Sequence, residues 1–150
     1  MSLALIICHA AAGTGAFAVG LAALRPGRAR DHPWLLPLLV WLLVAMLVSV
    51  AGAMASHWND LAGGAQATFM ALLGLGLYML HRARQAQRSA NSTLSRDRRR
   101  YFDSLRFVVI ALFDAFVVVT ALDLGAPPWL VAALAVAAVA VGHHRLAPAT

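Results

Sequence analysis

The chain alternates between long apolar runs and short polar breaks, with none of the strict two-residue alternation that marks a half-buried strand. The runs cover residues 3–24, 34–56, 61–80, 107–124 and 128–144, and the breaks between them read RPGRARDHP, HWND, the basic stretch 81–106, and GAPP. Each run is close to the roughly 20 residues that carry a helix across a hydrocarbon core about 30 Å thick. Pro and Gly in the breaks make continuation of a helix unfavourable. The pattern predicts an all-α integral membrane bundle of five transmembrane helices, a single domain over residues 1–150, with 81–106 as a basic loop.

Composition agrees with that class. The chain is 61% hydrophobic and only 12% charged, well outside the roughly 45–50% apolar and about 25% charged of a soluble domain. The opening MSLALIIC has no basic residue ahead of its apolar run, so it reads as a retained first helix and not a cleaved signal. All twelve basic residues are Arg, and Lys and Glu are absent, a composition expected of a GC-rich bacterial genome.

The arginines set the orientation. Three fall between the first two runs, eight lie from Arg82 to Arg106, one is Arg145, and none is in HWND or GAPP. The positive-inside rule then puts the N-terminus outside, and 81–106 and the C-terminus in the cytoplasm of a bacterial inner membrane. Trp34 falls at the inner interface and Trp58 and Trp129 at the outer one, where amphipathic rings settle. Arg98, Arg99 and Arg100, followed by Tyr101 and Phe102, suit contact with anionic lipid at the cytoplasmic face better than nucleic acid.

Small residues mark the faces on which the helices approach. Gly13, Ala16, Gly20 and Ala23 share one face of the first helix, and Gly63, Ala67, Ala71 and Gly74 form a similar stripe in the third. Such faces let helix backbones come close in a membrane.

One residue breaks the apolar pattern at depth. Asp114 stands in IALFDAFVVV, where a central carboxylate costs about 2.5 to 3.5 kcal/mol of insertion and each Leu, Ile, Val or Phe returns about 0.3 to 0.6. Insertion still wins, and desolvation favours a neutral carboxyl. An intramembrane ionisable group points to a proton, cation or small-ligand site, with interhelical hydrogen bonding as the structural alternative. His9, one turn from Gly13 on the small face, is the second interior polar group and the nearest candidate partner of Asp114, directly or through water.

Other chemistry is sparse. Cys8, His9, His57 and Asp60 supply ligand types for zinc or, with Met54, copper, and His9 with His57 is the pair a haem- or metal-binding redox protein would use, which leaves zinc, copper or haem as the candidate cofactors. A single cysteine excludes an intramolecular disulfide and multi-cysteine clusters. No phosphate loop, nucleophile elbow or paired catalytic carboxylates occur, so a non-enzymatic transport component, or a structural accessory subunit, is expected. Five short Gly- and Ala-rich helices enclose little volume, so a homo-oligomer or a larger membrane complex is expected as well.

The first helix reads His9-x3-Gly13-x2-Ala16-Phe17-x2-Gly20-x2-Ala23-Leu24, followed by Gly27 and by His32 at the mouth of the second. Over about 32 residues this resembles a family of small multi-pass bacterial membrane proteins whose opening helix carries that His-and-glycine pattern. Where that family has Arg and then Gly after the second His, this chain has Pro33 and Pro37. The resemblance implies the membrane fold, marks His9 and His32, and implies no activity.

Overall fold

The computed structural model describes residues 3–25, 27–58, 63–90 and 95–123. Among them the chain is all helical: α1 (Leu3–Leu24), the single turn α2 (Arg28–Asp31), α3 (Leu35–His57), α4 (Gly63–Ser89) and α5 (Ser95–Asp123). The four long helices run up and down in turn, each packing on the next, and α5 closes the ring against α1. The apolar run 128–144 and Trp129 lie outside the described residues.

α1 and α3 coincide with the first two apolar runs to within a residue. The stretch expected as a basic loop, 81–106, is different: α4 continues to Ser89 and α5 already begins at Ser95. Ala83 and Ala86 in α4 are 1% and 0% exposed, and Tyr101, Ser104, Leu105 and Val108 in α5 are buried at helical spacing. A narrow buried stripe therefore holds two otherwise charged helices together. Averaged hydropathy hides such a stripe, because it sums one small buried face with a large solvated one.

Two described helices are long and apolar enough to cross a membrane, Ile7–Leu24 with mean hydropathy 1.6 and Leu35–Ser56 with 2.5. Only 22% and 33% of these windows are buried inside the bundle, whereas the core helix of a soluble protein would be mostly buried. Their outward faces carry Ile7, Leu21, Trp41 and Val48, and exposed apolar residues continue on α4 and α5 with Met70, Leu72, Leu77, Phe113 and Phe116. α4 and α5 are each apolar over only part of their length, α4 interrupted by Gln66 and α5 by Asp114.

The register is antiparallel and continuous. Along α1 and α3, His9 meets Ser49, Gly13 faces Met46, Gly15 faces Leu42 and Gly20 approaches Leu39. Along α1 and α5, Phe17 stacks with Phe113 at 6.1 Å between ring centroids and Gly20 faces Val109. Tyr78 of α4 meets Phe107 of α5 edge to face at 5.1 Å. The buried core runs through Ala16, Ala23, Leu39, Leu43, Met79, Leu105 and Val108.

Glycine serves the packing at particular points. A Cβ at Gly20 would stand 2.8 Å from Cγ2 of Val109, and one at Gly76 would stand 2.5 Å from Cδ2 of Leu47. Gly74 has nothing within 4 Å of that position, so the close approach of α4 is made by Gly76. Of Gly63 and Ala67 only the helical backbone is described. The turn after α1 needs glycine for another reason: Gly27 has φ +83°, a conformation that side chains with Cβ rarely adopt.

Tyr101 ties the hairpin to α1. Its hydroxyl donates to the carbonyl of Ala23 at 2.7 Å, one of the last-turn carbonyls that a helix leaves without an internal partner. Burial raises the phenol from its ordinary 10.0 to about 12.

Two outcomes are expected. Gly20→Ala should destabilise by about 1–3 kcal/mol, because Val109 is β-branched and cannot rotate away within a helix, while Gly74→Ala should cost nothing; thermal unfolding in detergent reads both. The phenol of Tyr101 is neutral in both states below pH 10, and between about 10 and 12 only the unfolded chain ionises. Stability should therefore fall as pH rises through that window, and Tyr101→Phe should remove that component of the slope.

Candidate functional site

Two interior polar groups stand out, and they occupy different interfaces. His9 lies between α1 and α3, where its Nδ1 is 3.2 Å from Oγ of Ser49 and 3.4 Å from the carbonyl of Met46. The Ser49 hydroxyl donates to the same Met46 carbonyl at 2.7 Å. A serine has one proton to give. With that proton used on Met46, the short contact to His9 is made by an Nδ1–H donating to Ser49 Oγ. A neutral His9 then keeps the lone pair of Nε2 for a proton, a metal or a ligand. One turn on, a Cβ at Gly13 would stand 3.7 Å from Met46 Sδ, an ordinary contact, so the approach of α3 beside His9 does not depend on that glycine.

Asp114 lies elsewhere. Phe113, one residue before it, faces Phe17 of α1. Asp114 instead follows Phe107 by two helical turns, on the side of α5 where Phe107 meets Tyr78 and Arg82 of α4. Its Oδ1 is buried with no hydrogen-bond partner. Because Phe17 marks the level of Phe113, His9 stands about 10 Å from Asp114 along the bundle axis, at 1.5 Å per residue. The two residues share the same end of the bundle without meeting, and among the described residues no hydrogen bond joins them.

The remaining candidates scatter. Cys8 is exposed on α1; the side chain of His57 and the whole of Asp60 lie outside the described residues. Among the described residues no three His, Cys or Asp side chains gather as a metal site. His32 is half-buried and meets Trp34 edge on at 6.2 Å. Arg98, Arg99 and Arg100 are all exposed, and three consecutive residues fan over more than half of a helix circumference, so they cannot present one shared face.

Ser49 escaped the sequence reading, although it is one of few hydroxyls inside the α3 apolar run and sits at the level that antiparallel pairing assigns to His9. Arg82, whose Nε is buried without a partner, was hidden among the other arginines of its segment. No family model, no curated protein and no solved structure matches the chain.

The tautomer has a direct readout. In the wild type, nitrogen NMR should show His9 as the Nδ1–H form when neutral. Ser49→Ala should shift the population toward Nε2–H and cost about 1 kcal/mol of stability.

Proposed function

We propose that the chain is a non-enzymatic, multi-pass component of a bacterial inner membrane, with its N-terminus outside and its C-terminus cytoplasmic, that binds a proton or a cation at Asp114. The observation that carries this reading is the buried Oδ1 of Asp114, which has no hydrogen-bond partner in an apolar stretch of α5. A buried acceptor without a donor costs about 1–3 kcal/mol, more when charged, and a proton or a metal cation supplies what it lacks. His9, with Nε2 free, is a second polar station toward the same end of the bundle.

Support for the membrane comes from the apolar outer faces of α1 and α3, from the exposed apolar residues on part of α4 and α5, and from the concentration of arginine at one end of the bundle. Oligomerisation fits the surroundings of Asp114, since Phe113, Ala115 and Phe116 beside it are exposed. A second copy, or another subunit, packed there would enclose the carboxyl more fully.

The test is flux in proteoliposomes. Wild-type protein should carry a proton or monovalent-cation current that Asp114→Asn abolishes and Asp114→Glu partly retains, with the variants folding as the wild type does. Full flux in Asp114→Asn would remove the site, and no flux in the wild type would remove the transport reading.

A further inference from the structure

The charged end of the α4–α5 hairpin contains a cleft that neither Asp114 nor His9 accounts for. It encloses about 500 Å³ and is lined by Arg82, Gln85, Arg88 and Ser89 from α4 and by Arg100, Asp103 and Ser104 from α5. A space of that size is within the range that holds a small organic ligand. Every lining residue is polar or charged, and their aliphatic stems form about half of the lining surface. Three arginines and one aspartate line the same space, a net of two positive charges.

Arg82 is the fixed member of the set. Its guanidinium lies over the ring of Phe107, with Cζ 5.7 Å from the centroid, which holds the planar fork in one orientation. Its Nε is buried and has no hydrogen-bond partner. Buried donors are almost always paired, so this one waits for an acceptor. Ser104, 1% exposed, adds a hydroxyl from α5 and Ser89 one from α4, while Gln85, whose Nε2 contacts Nε2 of His81 at 3.1 Å, has one amide N–H left to give.

We infer that this cleft binds a phosphate group. Phosphate matches the donor set: an acceptor-rich tetrahedral anion engages several arginine forks at once, and hydroxyl and amide donors complete its coordination. The cleft starts where the apolar part of each helix ends, at Leu80 and His81 in α4 and at Arg106 and Phe107 in α5. In a membrane that is the depth of lipid phosphates, so the phosphate comes either from an anionic lipid headgroup or from a free phosphate compound. The lipid source rests on the membrane reading above; the phosphate site itself does not. Asp103 is the one group opposed to an anion and sets the affinity below what the arginines alone would give.

The experiment uses the full chain purified in an uncharged detergent. Binding is read by native mass spectrometry and by thermal shift, with inorganic phosphate in one arm and short-chain phosphatidylglycerol in the other, each against chloride at equal ionic strength. At least one phosphate probe should bind in a 1:1 complex and stabilise the fold. The exposed pair Arg88→Gln/Arg100→Gln should weaken it by roughly tenfold or more, Asp103→Asn should tighten it, and Arg84→Gln/Arg96→Gln, outside the cleft, should leave it unchanged. Saturation by inorganic phosphate alone identifies a free phosphate ligand, and saturation by the lipid alone identifies a headgroup. No stabilisation beyond chloride in either arm, or equal losses in the cleft and control pairs, would overturn the site. Flux through Asp114 is unaffected by either result, so the two proposals fail separately.

Discussion

The bundle closes because one face of α1 carries almost no side chain. Gly13, Ala16, Gly20 and Ala23 let α3 and α5 approach on either side, and the approach at Gly20 leaves no space for even a methyl group against Val109. In the membrane setting proposed above, hydrophobic association adds little, since lipid is as apolar as leucine, and packing at this distance supplies the cohesion. The positions of His9 against Ser49 and of Phe17 against Phe113 follow from the same register. A larger residue at Gly20 would press on Val109 and disturb that register, whereas a Cβ at Gly13 would meet Met46 Sδ at an ordinary 3.7 Å.

The far end of the molecule is held by other means. There the helices are charged, and what joins them is a thin seam of Ala83, Ala86, Ser104 and Leu105, with Arg82 of α4 over Phe107 of α5 and Tyr101 reaching α1. The Tyr101 bond spans 78 residues of sequence and satisfies a terminal carbonyl of α1. It transfers the rigidity of the apolar bundle to a hairpin that would otherwise stand on its own charged faces, and so it fixes the walls of the arginine-lined cleft.

How far the sequence could be read depended on the kind of signal. α1 and α3 are legible because an apolar run bounded by Pro, Gly and Arg has one interpretation. The extensions of α4 to Ser89 and of α5 back to Ser95 were not, because their buried positions are two alanines, a serine, a tyrosine and a single leucine, which add little to an average dominated by arginine. The small face of α1 could be seen from spacing alone, but the choice of Gly76 over Gly74 in α4 could not: they differ by two residues, or about 200° of rotation, and only the partner helix decides which one faces inward. The same ambiguity explains Asp114. Neither its level relative to His9, about 10 Å along the axis at 1.5 Å per residue, nor the side of α5 on which it lies could be read from the run; both had to come from Phe107 and Phe113.

The two interior polar groups differ in a way that bears on what each is for. His9, Ser49 and the Met46 carbonyl form a short chain in which each described donor has an acceptor, and a satisfied buried network specifies packing and stabilises it. Asp114 has no such return. A carboxyl that served as interhelical glue would be seen donating to a carbonyl or accepting from a neighbouring side chain, yet its Oδ1 is buried and unpaired. In the same stretch a leucine would insert more favourably and pack without a polar deficit. A buried carboxyl oxygen that costs stability and returns none of it through hydrogen bonds is the one observation on which the proposed proton or cation site rests.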